Sequence, residues 1–215
     1  MIKLSPRLRA ISDLIDEDDV VLDVGCDHAL LSIDLALKGN KVYASDKSSG
    51  AIQGARANLK KYEVEDLVDL AELKDLDFLN EEVNTIVIAG MGALTIIEIL
   101  KKNLDKLRKI EKFIFLAHNH QKRLRKFIAD NNFLIDDELV VKEGNKYYFI
   151  MKVIKGKSNY DDLELEFGAV NLKRKDKTFL DYLAYYIKTQ EKILSKLSKE
   201  EQDKLSIKIE RLKKI

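Results

Sequence analysis

The stretch "VVLDVGCDHALLS", residues 20–32, runs an apolar segment into a turn with a single glycine. Asp23 precedes Gly25, and Cys26, Asp27 and His28 follow it. A strand-to-helix turn of this kind binds ligands when it lies beyond the carboxyl end of a strand in an open α/β sheet. A dinucleotide there demands G-x-G-x-x-G, because its pyrophosphate presses on backbone where a β-carbon would stand. The second and third glycines are missing here, and Asp27 would repel a phosphate at the helix N-terminus. The chemistry favoured is that of a cation. S-adenosylmethionine carries a sulfonium and an α-ammonium, both attracted by carboxylates such as Asp23 and Asp27. The turn therefore argues for that donor over NAD.

Further residues extend the expected cofactor set of Asp23, Gly25, Cys26 and Asp27. Asp46 ends "YASD", 23 residues after Asp23, where a carboxylate accepts both hydroxyls of a ribose; Lys47 follows it. The competing role for Asp46 is a helix cap before "KSSGAIQGA". In "LKDLDFL", either Asp75 or Asp77 is placed to accept the exocyclic amine of an adenine. "IAGMGA" supplies Ala89, Gly90 and Met91, glycines for close backbone approach and a pliable apolar wall. The [DN]-P-P-[YF] motif common at that point in methyltransferases of exocyclic base amines is absent, so no amine clamp of that type is expected. His28 in the first turn is expected to stack on, or hydrogen-bond, the acceptor.

These residues need strands to hold them. Runs at 19–25, 41–46, 67–73, 84–90 and 112–118 read as strands, with helical patterns at about 29–38, 48–61, 92–108 and 121–131. Ser5 caps and Pro6 starts an earlier helix. The alternation predicts βαβ crossovers and a doubly wound parallel sheet. Two last strands, 134–142 and 146–154, flank "EGN" and should pair antiparallel. The expectation is an α/β, Rossmann-like class I methyltransferase layout: a seven-stranded sheet closed by an antiparallel hairpin. From residue 172 strand signals stop. Phe179, Leu180, Leu183, Tyr186, Ile187, Leu194 and Leu197 recur at helical steps, and "SKEE" opens a second helix. A domain at 1–171 and an antiparallel helical hairpin, or coiled coil, at 172–215 are expected. Tyr182, Tyr185 and Tyr186 among its lysines suit either RNA contact or padding between the helices.

Composition bounds the rest. Apolar residues make up 46% of 215, enough for one full core. Lys+Arg total 38 against 37 Asp+Glu, but 13 basic and 7 acidic residues fall from 172 onward, a basic tail on an acidic body. One cysteine excludes an internal disulfide and fits a reducing cytoplasm. The longest apolar run, about 13 residues, is short of the ~20 that a membrane helix needs. A cytoplasmic protein with no membrane or metal partner is expected; a monomer is compatible with the sequence, which sets no oligomeric state.

"LSPRLRAI", "DVGCDHALL", "IAGMGA", "HNH", "EGNKYYFI" and the helical tail together resemble the TrmK family, bacterial tRNA adenine-N1 methyltransferases that modify position 22. The resemblance spans essentially the whole chain. It departs at Ala93, where a further glycine is common, and at Ala117-His118-Asn119, where Gln-Pro-Asn often stands. It implies S-adenosylmethionine as donor and tRNA as partner; Asp27 and His28, in the turn facing the transferred methyl, and Asn119, at the strand end beside "IAGMG", are the expected catalytic group. Arg7, Arg9, Lys122, Arg123 and Arg125 are the expected tRNA contacts. Methylation of another RNA base or a small molecule, or noncatalytic RNA binding on the same scaffold, are the alternatives.

Overall fold

The computed structural model describes residues 2–215. Helix α1 (Pro6–Ser12) leads into β1 (Val20–Val24), α2 (Leu30–Lys38), β2 (Lys41–Asp46), α3 (Ser49–Lys61) and β3 (Val68–Glu72). The chain continues through β4 (Thr85–Met91), α4 (Ala93–Lys102), β5 (Lys112–Ala117), α5 (Gln121–Asp130), β6 (Phe133–Glu143) and β7 (Lys146–Lys155). Helices α6 (Asp162–Phe167), α7 (Ala169–Arg174), α8 (Lys177–Leu194) and α9 (Lys199–Leu212) finish it. The seven strands form one sheet in the order β3-β2-β1-β4-β5-β7-β6. All neighbours are parallel except those of β7, which pairs antiparallel with β5 and β6. The order reverses between β1 and β4, so the crevice above their carboxyl ends is the binding position of an open α/β sheet.

Period-two alternation sends each strand's side chains into two separate cores. Leu22, Ile86, Ile88, Phe113 and Phe115 face α4 and α5, whereas Val21, Val87, Ile114 and Leu116 face α1, α2 and α3. Both faces are covered, which is why these strands read as continuous apolar runs. At the opposite, amino ends of the strands, Lys112 joins Asp16 and Asp19, and Asp19 accepts from Thr85 Oγ1 at 2.9 Å.

The structure shortens one expected helix. Instead of running to 108, α4 stops at Lys102 and a 3₁₀ turn follows at Lys106–Lys109. Asn103 ends it, its side-chain amide donating to the Ile99 carbonyl at 2.9 Å, and Leu107 and Ile110 then turn into the core. The β6–β7 turn holds Gly144 at φ +59°, a left-handed value that favours glycine.

The C-terminal helices rest on the sheet. Phe167, Phe179, Leu183 and Leu212 form a third core with Val140 and Phe149 of the β6–β7 hairpin. Residue 171, where a division of the chain was expected, falls inside α7, and α6 to α8 share this core. Ser198 and Glu201 make a reciprocal capping box that starts α9. Tyr182 and Tyr186 are half-buried and pack against this third core, whereas Tyr185 is 56% exposed.

Candidate active site

The turn after β1 is pinned to β2. The amides of Gly25 and Cys26 both donate to the Ser45 carbonyl, at 2.7 and 3.0 Å. Gly25 has φ +74°, and a β-carbon there would stand 2.4 Å from Met91 Cε. Asp27 and Ala29 also take left-handed φ, +50° and +55°, which delays α2 until Leu30 and turns residues 27 and 28 to the surface. His28 lies over α3, where Gly54 makes room for it. A β-carbon on Gly54 would meet His28 Nδ1 at 2.6 Å. Asn58 Nδ2 donates to the His28 carbonyl at 2.9 Å, and His28 Nε2 is 3.9 Å from Asp27 Oδ1.

Three carboxylates ring the turn. Asp23 is 3% exposed, and its Oδ2 accepts from Ser32 Oγ at 2.6 Å. Burial pushes its carboxyl up to about 6, and the negative Asp46 nearby adds to the effect against the Ser32 bond. Asp46 accepts the Asp27 amide at 3.3 Å and the Ser48 amide at 2.9 Å, so its carboxylate is held by backbone. It is not the cap of α3: Ser48 is, accepting from the Ala51 amide at 3.4 Å. Burial, with Asp23 and Asp46 beside it, pushes the Cys26 thiol up, so Cys26 stays a neutral thiol at physiological pH.

The end of β4 supplies the other wall. Gly90 at φ +90° marks a shift in the β4–β5 register between Ala89 and Met91. A bulge there re-aims side chains at the strand end. The His118 amide then donates to the Met91 carbonyl at 2.9 Å, closing the two strand ends together. Between these walls lies a cavity of about 590 Å³, lined by Asp23, Gly25, Cys26, Asp27, His28, Asp46, Ala89, Gly90 and Met91. That volume is in the range of small-molecule sites, about 300–1,000 Å³. The N-terminal segment forms its rim with Lys3, Ser5, Arg7 and Leu8. Ser5 Oγ is buried and has no hydrogen-bond partner among the described residues.

Several expected residues lie elsewhere. Asp75 and Asp77 do not line the cavity; Asp75 is 3.7 Å from Lys102 Nζ, and Asp77 is exposed. Lys47 is exposed outside it. Asn119 is exposed over the turn after β4, its Oδ1 at 3.3 Å from where a Gly92 β-carbon would be. Arg7 reaches the cavity but is held by Glu143 at 2.6 Å, with its guanidinium 5.1 Å from the Tyr148 ring centroid. Arg9 pairs with Asp34 at 3.3 Å, and Lys122 with Asp162 at 2.5 Å. Arg123 is exposed. Arg125 corrects the expected RNA-contact set: it is 0% exposed, bonded to Glu138 by Nε at 2.8 Å and Nη2 at 2.6 Å. A buried, fully engaged guanidinium has no surface to offer a phosphate.

His118 was overlooked in the sequence although it lines the cavity. Its signal is the "HNH" run after β5, which also contains Asn119. Ser5 and Leu8 were also missed as cavity residues, because the N-terminal helix is distant in sequence from every strand end it covers. Among the described residues no group of three or more His, Cys, Asp or Glu side chains is placed to hold a metal ion. No described helix is long and apolar enough to cross a membrane.

A family profile described as a methyltransferase domain matches residues 4–151, which include every cavity residue named above except Lys3. The chain belongs to that methyltransferase family. Within it, the methyltransferase is 27% identical over 172 residues to the tRNA (adenine(22)-N(1))-methyltransferase of Bacillus subtilis, covering 78% of this chain and 72% of the relative. The crystal structure of Streptococcus pneumoniae Sp1610 in complex with S-adenosyl-L-methionine superposes with a TM-score of 0.90 at 28% identity, over 99% of both chains. M. capricolum TrmK bound to S-adenosyl-homocysteine gives a TM-score of 0.82 at 28% identity, over 98% of this methyltransferase and 96% of that chain. The likeness to both structures therefore includes the C-terminal helices, which the family profile does not reach.

Proposed function

We propose that this chain transfers a methyl group from S-adenosylmethionine to N1 of an adenine in tRNA, at position 22. The observation that carries the reading is the acidic, single-glycine cavity at the β1–β4 switch point, in a chain that resembles TrmK over nearly its whole length. The residues present fit the donor. Three carboxylates suit its two cationic centres, Met91 and Leu8 give apolar walls, and the unpartnered Ser5 hydroxyl is a free donor. When bound, S-adenosylmethionine supplies an electrophilic methyl on a positively charged sulfur.

The chain's own contribution is placement. Asp23 and Asp27 attract the cationic end of the donor, and Asp46, oriented by two backbone amides, accepts the ribose hydroxyls. Adenine N1 attacks with a lone pair that needs no prior deprotonation, so the N–C bond forms as the S–C bond breaks and its electron pair stays on sulfur. His28, seated on Gly54 at the cavity mouth, holds the acceptor ring, and Asn119 beside the β4 turn limits its tilt. Holding the two reactants in line is worth roughly 7–11 kcal/mol. The product base is cationic at N1, and Asp27 is the carboxylate best placed to ease loss of its proton. An adenine within the tRNA fold must also be extruded, at a cost of a few kcal/mol. Arg7, Lys122 and Arg123 are on hand for backbone contacts that offset it.

The test is nucleoside mass spectrometry of tRNA incubated with the protein and methyl-labelled donor. N1-methyladenosine, abolished when adenine 22 is replaced, is the expected product. Label in N6-methyladenosine under conditions that avoid alkaline rearrangement, or in another base, would overturn the assignment.

A further inference from the structure

A second cavity, of about 450 Å³, opens between the tip of the β6–β7 hairpin and α8. Four tyrosines line it: Tyr147 and Tyr148 from β7, Tyr182 and Tyr185 from α8. His118 lines both this cleft and the acidic cavity, so the two are contiguous through one side chain. Tyr147 and Tyr185 lie with ring centroids 5.9 Å apart and an angle of 34° between planes, and Tyr147 meets Tyr182 edge-on at 5.5 Å. Tyr182 is half-buried and packs against the core beneath. Tyr185 is exposed, at 56% of its full residue surface. Lys146 and Asn145 edge the cleft, and Lys142 Nζ lies 5.4 Å from the Tyr147 ring centroid.

Flat aromatic faces flanked by ammonium groups and one amide match the chemistry of an unpaired nucleotide. The base stacks on the rings, the lysines meet its phosphate, and the amide reaches its edge. A duplex does not fit, because its bases show no free face. We infer that this cleft binds an unstacked nucleobase of the RNA substrate, next in the strand to the adenine that enters the acidic cavity. The inference rests on the tRNA reading above. It adds that the enzyme holds two nucleotides, one on each side of His118, and that recognition includes a stacking step outside the donor site.

The test compares wild type with Tyr185→Ala, Tyr185→Phe and Lys146→Gln, by tRNA affinity at several salt concentrations and by calorimetric affinity for S-adenosylmethionine. Tyr185→Ala is expected to weaken tRNA binding by roughly 5- to 150-fold, the range found on removing a base-stacking ring, with donor affinity unchanged. Tyr185→Phe keeps the ring and should bind tRNA within about twofold of wild type, since stacking uses the π-face and not the hydroxyl. Lys146→Gln should lower the salt slope by about one contact. Wild type that binds tRNA while Tyr185→Ala binds it equally well overturns the cleft alone. Wild type that neither binds nor methylates tRNA overturns the tRNA reading and the cleft with it.

Discussion

Asp23 places stability and donor binding in opposition. Its carboxyl is buried, and the protein holds its proton up to about pH 6 against an ordinary 3.8. That gap corresponds to about 3 kcal/mol. The native state binds this proton more tightly than the unfolded chain does between those two values. Stability contributed by the group is therefore present at low pH and is lost as pH rises from 3.8 to about 6, after which it stays lost. Asp23→Asn removes the titration, keeps an oxygen to accept the Ser32 hydroxyl, and relieves the buried charge. At pH 8 the variant should be more stable than wild type by up to about 3 kcal/mol, which for a chain of this size is a rise in Tm of roughly 6–12 °C. The advantage should shrink toward zero near pH 4. Donor affinity should move the other way: weakened in the variant at pH 8, and in wild type falling as pH drops below 6 and Asp23 takes up its proton. Urea unfolding of both proteins across pH 4–8, with calorimetry of S-adenosylmethionine, measures both arms. A stability difference that does not change with pH, or a variant less stable at pH 8, would refute the argument.

Asp46→Ala should weaken S-adenosylmethionine binding by about 10- to 100-fold with a native circular dichroism spectrum, since bonds to a charged acceptor are worth about 1.5–3 kcal/mol; unchanged calorimetric affinity would remove it from the ribose site. Gly54→Ala should stabilise α3 by up to about 1 kcal/mol yet lower kcat, because the new β-carbon takes the space of the His28 ring; a variant that melts higher and turns over normally would detach His28 from the reaction. Arg125→Met should cost about 3–5 kcal/mol of stability by leaving Glu138 buried without its partner, read in a urea melt; a variant of native stability with selectively impaired tRNA binding would restore Arg125 to the surface contacts.

The sheet was legible because its signal is redundant. The central strands β1, β4 and β5 are mostly apolar runs buried on both faces, helical spacing recurs between the strands, and the "EGN" turn joins β6 and β7 as an antiparallel pair. The break in α4 was not legible, because "KKNLDKLRKI" keeps a helical rhythm on both sides of Asn103 and only the carbonyl it caps reveals the stop. The site divides similarly. Asp23, Asp27 and Asp46 sit within a few residues of strand ends, and strand ends fix where a side chain stands. Asp75 and Asp77 follow an edge strand by a loop whose path no pattern sets, and Asp75 takes a left-handed φ of +52° that the residue type alone does not announce. His118 lay one residue from the chosen Asn119, and on leaving a strand one residue decides which side chain faces the crevice.

Arg125 departs from expectation for a different reason: its run "KRLRK" is basic, but its position on the helix is apolar. On α5 the buried residues are Leu124, Arg125, Phe127 and Ile128, so Arg125 is on the apolar stripe, one helical step before Ile128. Its partner was hidden by a register shift in β6 between Ile135 and Asp137. Strict alternation from Ile135 would put Glu138 on the other face; the shift brings Ile135, Glu138 and Val140 to burial instead. The resulting pair anchors the tail. Arg125 Nη1 donates to the Leu165 and Glu166 carbonyls at 2.8 Å, satisfying the last turn of α6, and Arg174 of α7 donates to the Glu138 carbonyl at 3.1 Å. A β-carbon on Gly168, between those helices, would fall 1.7 Å from Glu138 Oε2, so the chain passes the carboxylate only as glycine. The C-terminal helices are thus fastened through a charge buried under the sheet's last hairpin. A cut after residue 171 removes Arg174 and uncovers Phe149, so loss of tRNA binding in such a truncation carries meaning only if the shortened protein still melts cooperatively.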